Sequence, residues 1–222
     1  MKTLTTDVPV EQRIVLDWVS WEYYEQTLRE FAEAHLRVTY DDGRLELMKP
    51  SNLHKYVTKC ISRLIELFDN HVGTRLHGMG QLTCCRRHLR KGIDPDECYY
   101  LGQFPRQYDD AEGAVEESEH PRPDLVFETC VSPSAVDRLS VLADLGVPEV
   151  WVYGADERLI WYAFTGGEYR PVGRSAAVPE LDHNVFARFL EQAIEDQAQA
   201  VFDFGDWIEK NHDVSKRERR TK

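Results

Sequence analysis

Two acidic residues stand at the mouths of short apolar runs, and their chemistry organises the reading of this chain. Glu128 interrupts the run Leu125 to Thr129 inside Arg122-Pro123-Asp124-Leu125-Val126-Phe127-Glu128-Thr129-Cys130-Val131-Ser132. An apolar run of this length, rich in Val, Phe and Thr and closed by Pro133, predicts a short buried strand. A carboxylate inside such a strand costs free energy unless a cation, a proton or an arginine compensates it. Asp96 opens a second strand-like run, Glu97-Cys98-Tyr99-Tyr100-Leu101. If the two strands pair, the acids repel, and a shared divalent cation resolves the repulsion. Mg²⁺ or Mn²⁺ held by oxygen ligands keeps several waters, and can orient one of them for attack on a phosphodiester. A nearby cation would then steady the developing phosphate charge.

Elements must exist to bring these residues together. Ser20 is placed to cap a helix over 21–34, and Val38-Thr39-Tyr40, Asp41-Asp42-Gly43 and Arg44 to Met48 predict a hairpin, since Asp42-Gly43 supplies the positive φ of a tight turn. Pro50-Ser51-Asn52 opens a helix in which Leu53, Tyr56, Val57, Cys60, Ile61, Leu64, Ile65 and Phe68 recur at three- and four-residue steps, so one face is core. His54 lies in its first turn. Gly73 to Gly80 reads as turn, followed by strands over 81–85 and 97–101. Residues 103–120 read as an exposed acidic loop, solvated rather than metal-binding. Ser132-Pro133-Ser134 starts a helix over 134–145 that ends at Gly146-Val147-Pro148. Strands follow at 149–153, 158–164 and 168–172, and a last amphipathic helix runs from Val185 to about Phe202. Trp151, Trp161 and Tyr162 belong to the core rather than to a base-stacking platform. This order predicts an α/β fold, a mixed sheet flanked by helices, carried by a single domain over 17–205. Residues 1–16 are expected to be a flexible N-terminus, and 206–222 a basic, disordered tail.

The totals exclude several classes. The chain of 222 residues has a net charge of −12, which argues against coating nucleic acid by global attraction. The charge is uneven, however. Lys216, Arg217, Arg219, Arg220 and Lys222 stand against Glu218 alone, and Arg86, Arg87, His88, Arg90 and Lys91 form a second basic run just before Asp96. Arg90 and Lys91 are therefore candidates for substrate binding. Five cysteines, odd in number and with no CxxC spacing, read as reduced thiols rather than zinc ligands. There is no run long enough to span a membrane and no apolar leader at Met1 to Asp7, so the reading is cytoplasmic.

The ordered set of motifs resembles the Uma-type restriction endonuclease family, a branch of the PD-(D/E)xK nuclease superfamily. The likeness covers about residues 17–172. It rests on Tyr40-Asp41-Asp42-Gly43-Arg44-Leu45-Glu46-Leu47-Met48 with Pro50 and His54, and on Gly92-Ile93-Asp94-Pro95-Asp96-Glu97. It continues through Pro123-Asp124-Leu125-Val126-Phe127-Glu128, then Asp137-Arg138-Leu139 and Leu145-Gly146-Val147-Pro148-Glu149-Val150-Trp151. The resemblance implies a restriction-endonuclease-like core and Mg²⁺-dependent hydrolysis of DNA, with a homodimer as the assembly. It makes Asp96 and Glu128 metal ligands and catalytic residues, and Glu46 a third acid. It gives His54 its weight as a substrate-binding residue. Asp124 either caps the strand entrance or neighbours the metal. One departure stands out. The superfamily's E-x-K lysine falls at Cys130, and in relatives that move the cation into the next helix it falls at Arg138. Arginine can stabilise phosphate charge but cannot relay a proton at neutral pH. The alternative is therefore a catalytically inactive nuclease-fold protein that binds nucleic acid or another protein.

Overall fold

The computed structural model describes residues 11–102 and 122–212. The acidic loop expected at 103–120 and the basic residues after 212 lie outside the described residues.

Two sheets share the core. Sheet A is antiparallel, in the order β1 (Gln12–Leu16), β3 (Arg44–Lys49), β2 (Arg37–Asp41), β6 (Lys91–Ile93), β5 (Cys84–Arg86). Sheet B is mixed, in the order β11 (Glu168–Pro171), β10 (Leu159–Thr165), β9 (Glu149–Gly154), β8 (Leu125–Cys130), β7 (Glu97–Leu101), β4 (Leu76–Gly80). Its parallel pair is β8 with β9, joined through α3 (Arg138–Asp144), as a parallel connection requires a crossover. The β2–β3 hairpin turns at Asp42 and Gly43, both at positive φ, as the Asp-Gly pair predicts.

Four expectations shift. Residues 12–16 form an edge strand rather than part of a flexible N-terminus, because their backbone finds partners on β3. The glycine-rich segment 76–80 is strand β4, with an irregular register where Gly78 and Gly80 meet β7, so the expected strand at 81–85 contracts to β5. The last helix is two, α4 (His183–Glu195) and α5 (Gln197–Asn211), broken at Asp196, whose side chain caps α5 by accepting from the Gln199 N–H. Residues 206–211, read as part of the tail, belong to α5.

α1 (Trp21–Glu30) starts where Ser20 accepts from the Tyr23 N–H. α2 (Asn52–Val72) starts at Ser51, which accepts from the His54 N–H, and ends at Gly73 in the left-handed conformation. The stripe Val57, Cys60, Ile61, Leu64, Ile65 and Phe68 is fully buried against sheet B and α4–α5. Leu53 and Tyr56 are instead partly exposed, because the first turn of α2 runs past the apolar core and delivers His54 inward. Trp151 and Trp161 are buried directly opposite each other on β9 and β10, with ring centroids 3.9 Å apart, and Phe127 stacks beside Trp151 at 5.0 Å. These rings are core.

Candidate functional site

The site sits where the chain leaves sheet A and enters sheet B. β6 ends at Ile93, β7 begins at Glu97, and Asp94-Pro95-Asp96 makes the crossing. Asp94 is anchored by Thr83 Oγ1 and by the Val38 N–H, which fixes the crossing against β2. In the antiparallel β7–β8 register Glu97 lies opposite Phe127. One step along, this sets Asp96 beside Glu128, and the Thr129 N–H donates to Asp96 Oδ2 at 2.8 Å. The pairing of these strands thus brings the two acids together, and both are buried.

Each acid already has its cation. Arg138, the first residue of α3, donates to Glu128 with both Nε (2.6 Å) and Nη2 (3.0 Å). Its remaining donors reach Thr39 Oγ1 (2.5 Å) and the Asp94 carbonyl (3.0 Å). The α3 start is fixed by Asp137, whose carboxylate accepts from the Ser140 N–H. Arg138 is thus buried inside the centre and not on the helix surface beside Asp137. Burial would lower its proton affinity, but Glu128 and Asp96 raise it, so the guanidinium stays charged. Burial and the neighbouring Asp96 charge push Glu128 up, while Arg138 opposes this.

Asp96 Oδ1 accepts from Arg37 Nε (2.8 Å) and pairs with His54 Nε2 (2.7 Å). Burial would raise its pKa, yet His54, Arg138 and Arg37 hold it well below the ordinary carboxylate range. His54 bridges two carboxylates, Asp96 at Nε2 and Glu11 at Nδ1 (2.6 Å). Burial alone would neutralise it, but hydrogen bonds to both acids outweigh this and lift its pKa to about 9. The imidazole is therefore a buried cation at neutral pH.

The other sequence candidates fall into three places. Glu46, buried on β3, accepts from Ser134 Oγ (2.9 Å), the Ala135 N–H (2.7 Å) and Arg13 Nη1. It clamps the turn before α3 and makes no hydrogen bond to Asp96 or Glu128. Asp124 accepts from the Leu101 N–H at 2.8 Å, the strand-entrance position. Arg90 pairs with Asp42, and Lys91 with Asp41 and Asp144, at the far end of β6. Cys130 lines a cavity of about 480 Å³ together with Glu128, Arg138, Val136, Leu139 and Val152. Burial and the Glu128 charge push its thiol up to about 12, so it remains neutral where the motif has a lysine.

Three participants escape the sequence reading: Arg37, which reaches Asp96 from β2, and the pair Glu11 and Arg13. Arg13 Nη2 donates to Glu11 at 2.6 Å, and Ser132 Oγ donates to the same carboxylate. Their segment reads as polar and loose, and only tertiary pairing with β3 carries them to the centre.

Paired acids on adjacent strands of a mixed sheet, with a cation entering from the next helix, match the restriction-endonuclease-like class that the motifs suggested. Comparison with known proteins agrees. The model of the Uma2 family, described as "Putative restriction endonuclease", matches residues 21–195, and the chain belongs to that family. A solved structure described as "a putative nuclease belonging to DUF820", from Anabaena variabilis, is similar at 15% identity and a TM-score of 0.49, over 69% of this chain and 90% of that one. No curated protein matches.

A divalent cation does not fit this donor set. Asp96 is engaged by three donors and Glu128 by a bidentate guanidinium. Among the described residues no group of three or more His, Cys, Asp or Glu is placed to hold a metal. No helix among them is long and apolar enough to cross a membrane.

Proposed function

We propose that this chain keeps the nuclease fold as a nucleic-acid-binding module and does not cut. The observation that carries this reading is the buried, bidentate Arg138–Glu128 pair. A guanidinium with its donors committed to Glu128, Thr39 and Asp94 neutralises the second acid permanently. It cannot activate water, since arginine does not give up a proton near neutral pH. The thiol of Cys130 supplies no charge in its place.

DNA is the partner that family membership favours. In this reading the described basic run does not carry the contact, since its Arg87, Arg90 and Lys91 already pair with acids. The contact falls instead to the tail cations Lys216, Arg217, Arg219, Arg220 and Lys222. Binding through them weakens steeply with salt, since each neutralised phosphate releases counterions.

Two measurements test this. Plasmid incubated with the purified protein and Mg²⁺ or Mn²⁺ stays supercoiled, and calorimetry with either metal at millimolar concentration gives no binding heat. Duplex DNA binds at low salt, and deletion of residues 213–222 abolishes that binding. The metal-dependent endonuclease is the second reading, favoured by the adjacency of Asp96 and Glu128 across β7–β8. Nicking that both Asp96→Ala and Glu128→Ala remove would establish it and overturn ours.

A further inference from the structure

The family match begins at residue 21, so Glu11 and Arg13 lie outside it, whereas His54, Glu46 and Ser132 lie within. The matched part thus carries a buried imidazole nitrogen, His54 Nδ1, and the Ser132 hydroxyl, both facing a carboxylate from outside it. This chain supplies that carboxylate from β1. The Glu11 side chain is wholly buried, with Oε1 on His54 Nδ1 at 2.6 Å and Oε2 accepting from Arg13 Nη2 and Ser132 Oγ.

The strand that delivers Glu11 has little else to hold it. Among the described residues β1 is the edge of sheet A and pairs only with β3. Its apolar side chains face solvent: Ile14 is 59% exposed, Val15 and Leu16 more than a third, and Trp18 just beyond it 98%. Hydrophobic burial, the usual term that fixes a strand, is nearly absent. Ladder hydrogen bonds and the ion pairs of Arg13 with Glu11 and Glu46 do the holding, so the position of β1 is set by charge pairing and not by apolar burial.

We propose that Glu11 is the chain's own occupant of an oxyanion site, formed by His54 Nδ1 and Ser132 Oγ, which accepts a phosphate when β1 lifts from β3. Carboxylate and phosphate oxygens take the same charge-assisted hydrogen bonds, so the exchange keeps His54 Nδ1 and Ser132 Oγ satisfied. That this phosphate belongs to nucleic acid rests on the reading given under Proposed function; the site itself does not.

Calorimetry with inorganic phosphate and full-length Glu11→Ala protein is the direct test. The variant binds phosphate at least tenfold more tightly than the parent, and Glu11→Ala/His54→Gln loses the gain. A folded Glu11→Ala protein with no gain overturns the site. Hydrogen exchange on the unmodified chain decides the matter independently of that variant's folding. Amides of residues 12–16 exchange faster with saturating inorganic phosphate than without, and unchanged or slower exchange overturns the lifting of β1. A duplex oligonucleotide in the same experiment separates the sources. Acceleration by phosphate but not by the duplex leaves the anion site standing and removes nucleic acid as the source of its phosphate, whereas duplex binding with no response to phosphate removes only this proposal.

Discussion

The two faces of β8 obey different rules. On one, Leu125 and Phe127 join Tyr99, Trp151, Trp161 and the α2 stripe in an apolar core. On the other, Val126 packs in a second apolar cluster with Val141, Leu142 and Val150, and Glu128 beside it lies in a cluster of ion pairs with Arg138, Asp96, His54 and Arg37. The apolar face is stabilised by area and packing, and its parts contribute nearly independently. The charged face is stabilised only by completeness, because each member is costly to bury unless its partner is present. Loss of one partner is therefore worse than loss of both.

The largest effects test that contrast. Phe127→Ala and Arg138→Ala should each cost about 3–5 kcal/mol in denaturant unfolding, one by a cavity and the other by stranding Glu128. Adding Glu128→Leu should recover most of the Arg138→Ala loss and none of the Phe127→Ala loss. Equal recovery in both backgrounds would erase the distinction between the faces.

The next effect is a pH dependence confined to the charged face. The pKa of His54 is raised from 6.5 to about 9. Its stabilisation is then complete below about 6.5 and lost as pH rises through about 9, on the order of 2–3 kcal/mol. Asp96 is depressed, so its share is present above about 4, the unfolded value, and is lost as pH falls. Melting curves from pH 6 to 10 should show the alkaline loss in the parent chain and a flattened profile in His54→Gln. A profile unchanged by that substitution would mean His54 is neutral in the folded state.

Glu46→Gln should cost a smaller amount, roughly 1.5–3 kcal/mol, because it weakens the hydrogen bonds that hold Ser134 and Ala135. Fluorescence melts read it. Arg90→Ala should be smallest, about 0.5 kcal/mol, since its pair with Asp42 is half exposed. Its DNA affinity should stay within about twofold of the parent. A larger drop would return the 86–91 run to the binding surface.

Local chemistry made much of the fold legible. Asp42-Gly43 announced the hairpin, the three- and four-residue spacing from Val57 to Phe68 the central helix, and the apolar run at 125–130 the buried strand. Each depends on neighbours a few positions apart, so the information is present in a short window. The glycines of 76–80 misled for the same reason, since a local preference for turns yields to pairing with β7.

For the centre, residue types placed Asp96 and Glu128 at strand-like runs and made their meeting conditional on those strands pairing, a pairing that β7 and β8 supply. Residue types also determined that no lysine stands at 130. The tertiary structure alone decided which charges answer the acids: Arg138 turned inward from a helix start, Arg37 reached in from sheet A, and Glu11 came from an edge strand to meet His54. Charge pairing across a buried junction depends on distances between segments that are remote in the chain. No local pattern encodes those distances, and burial is what gives them their energetic weight.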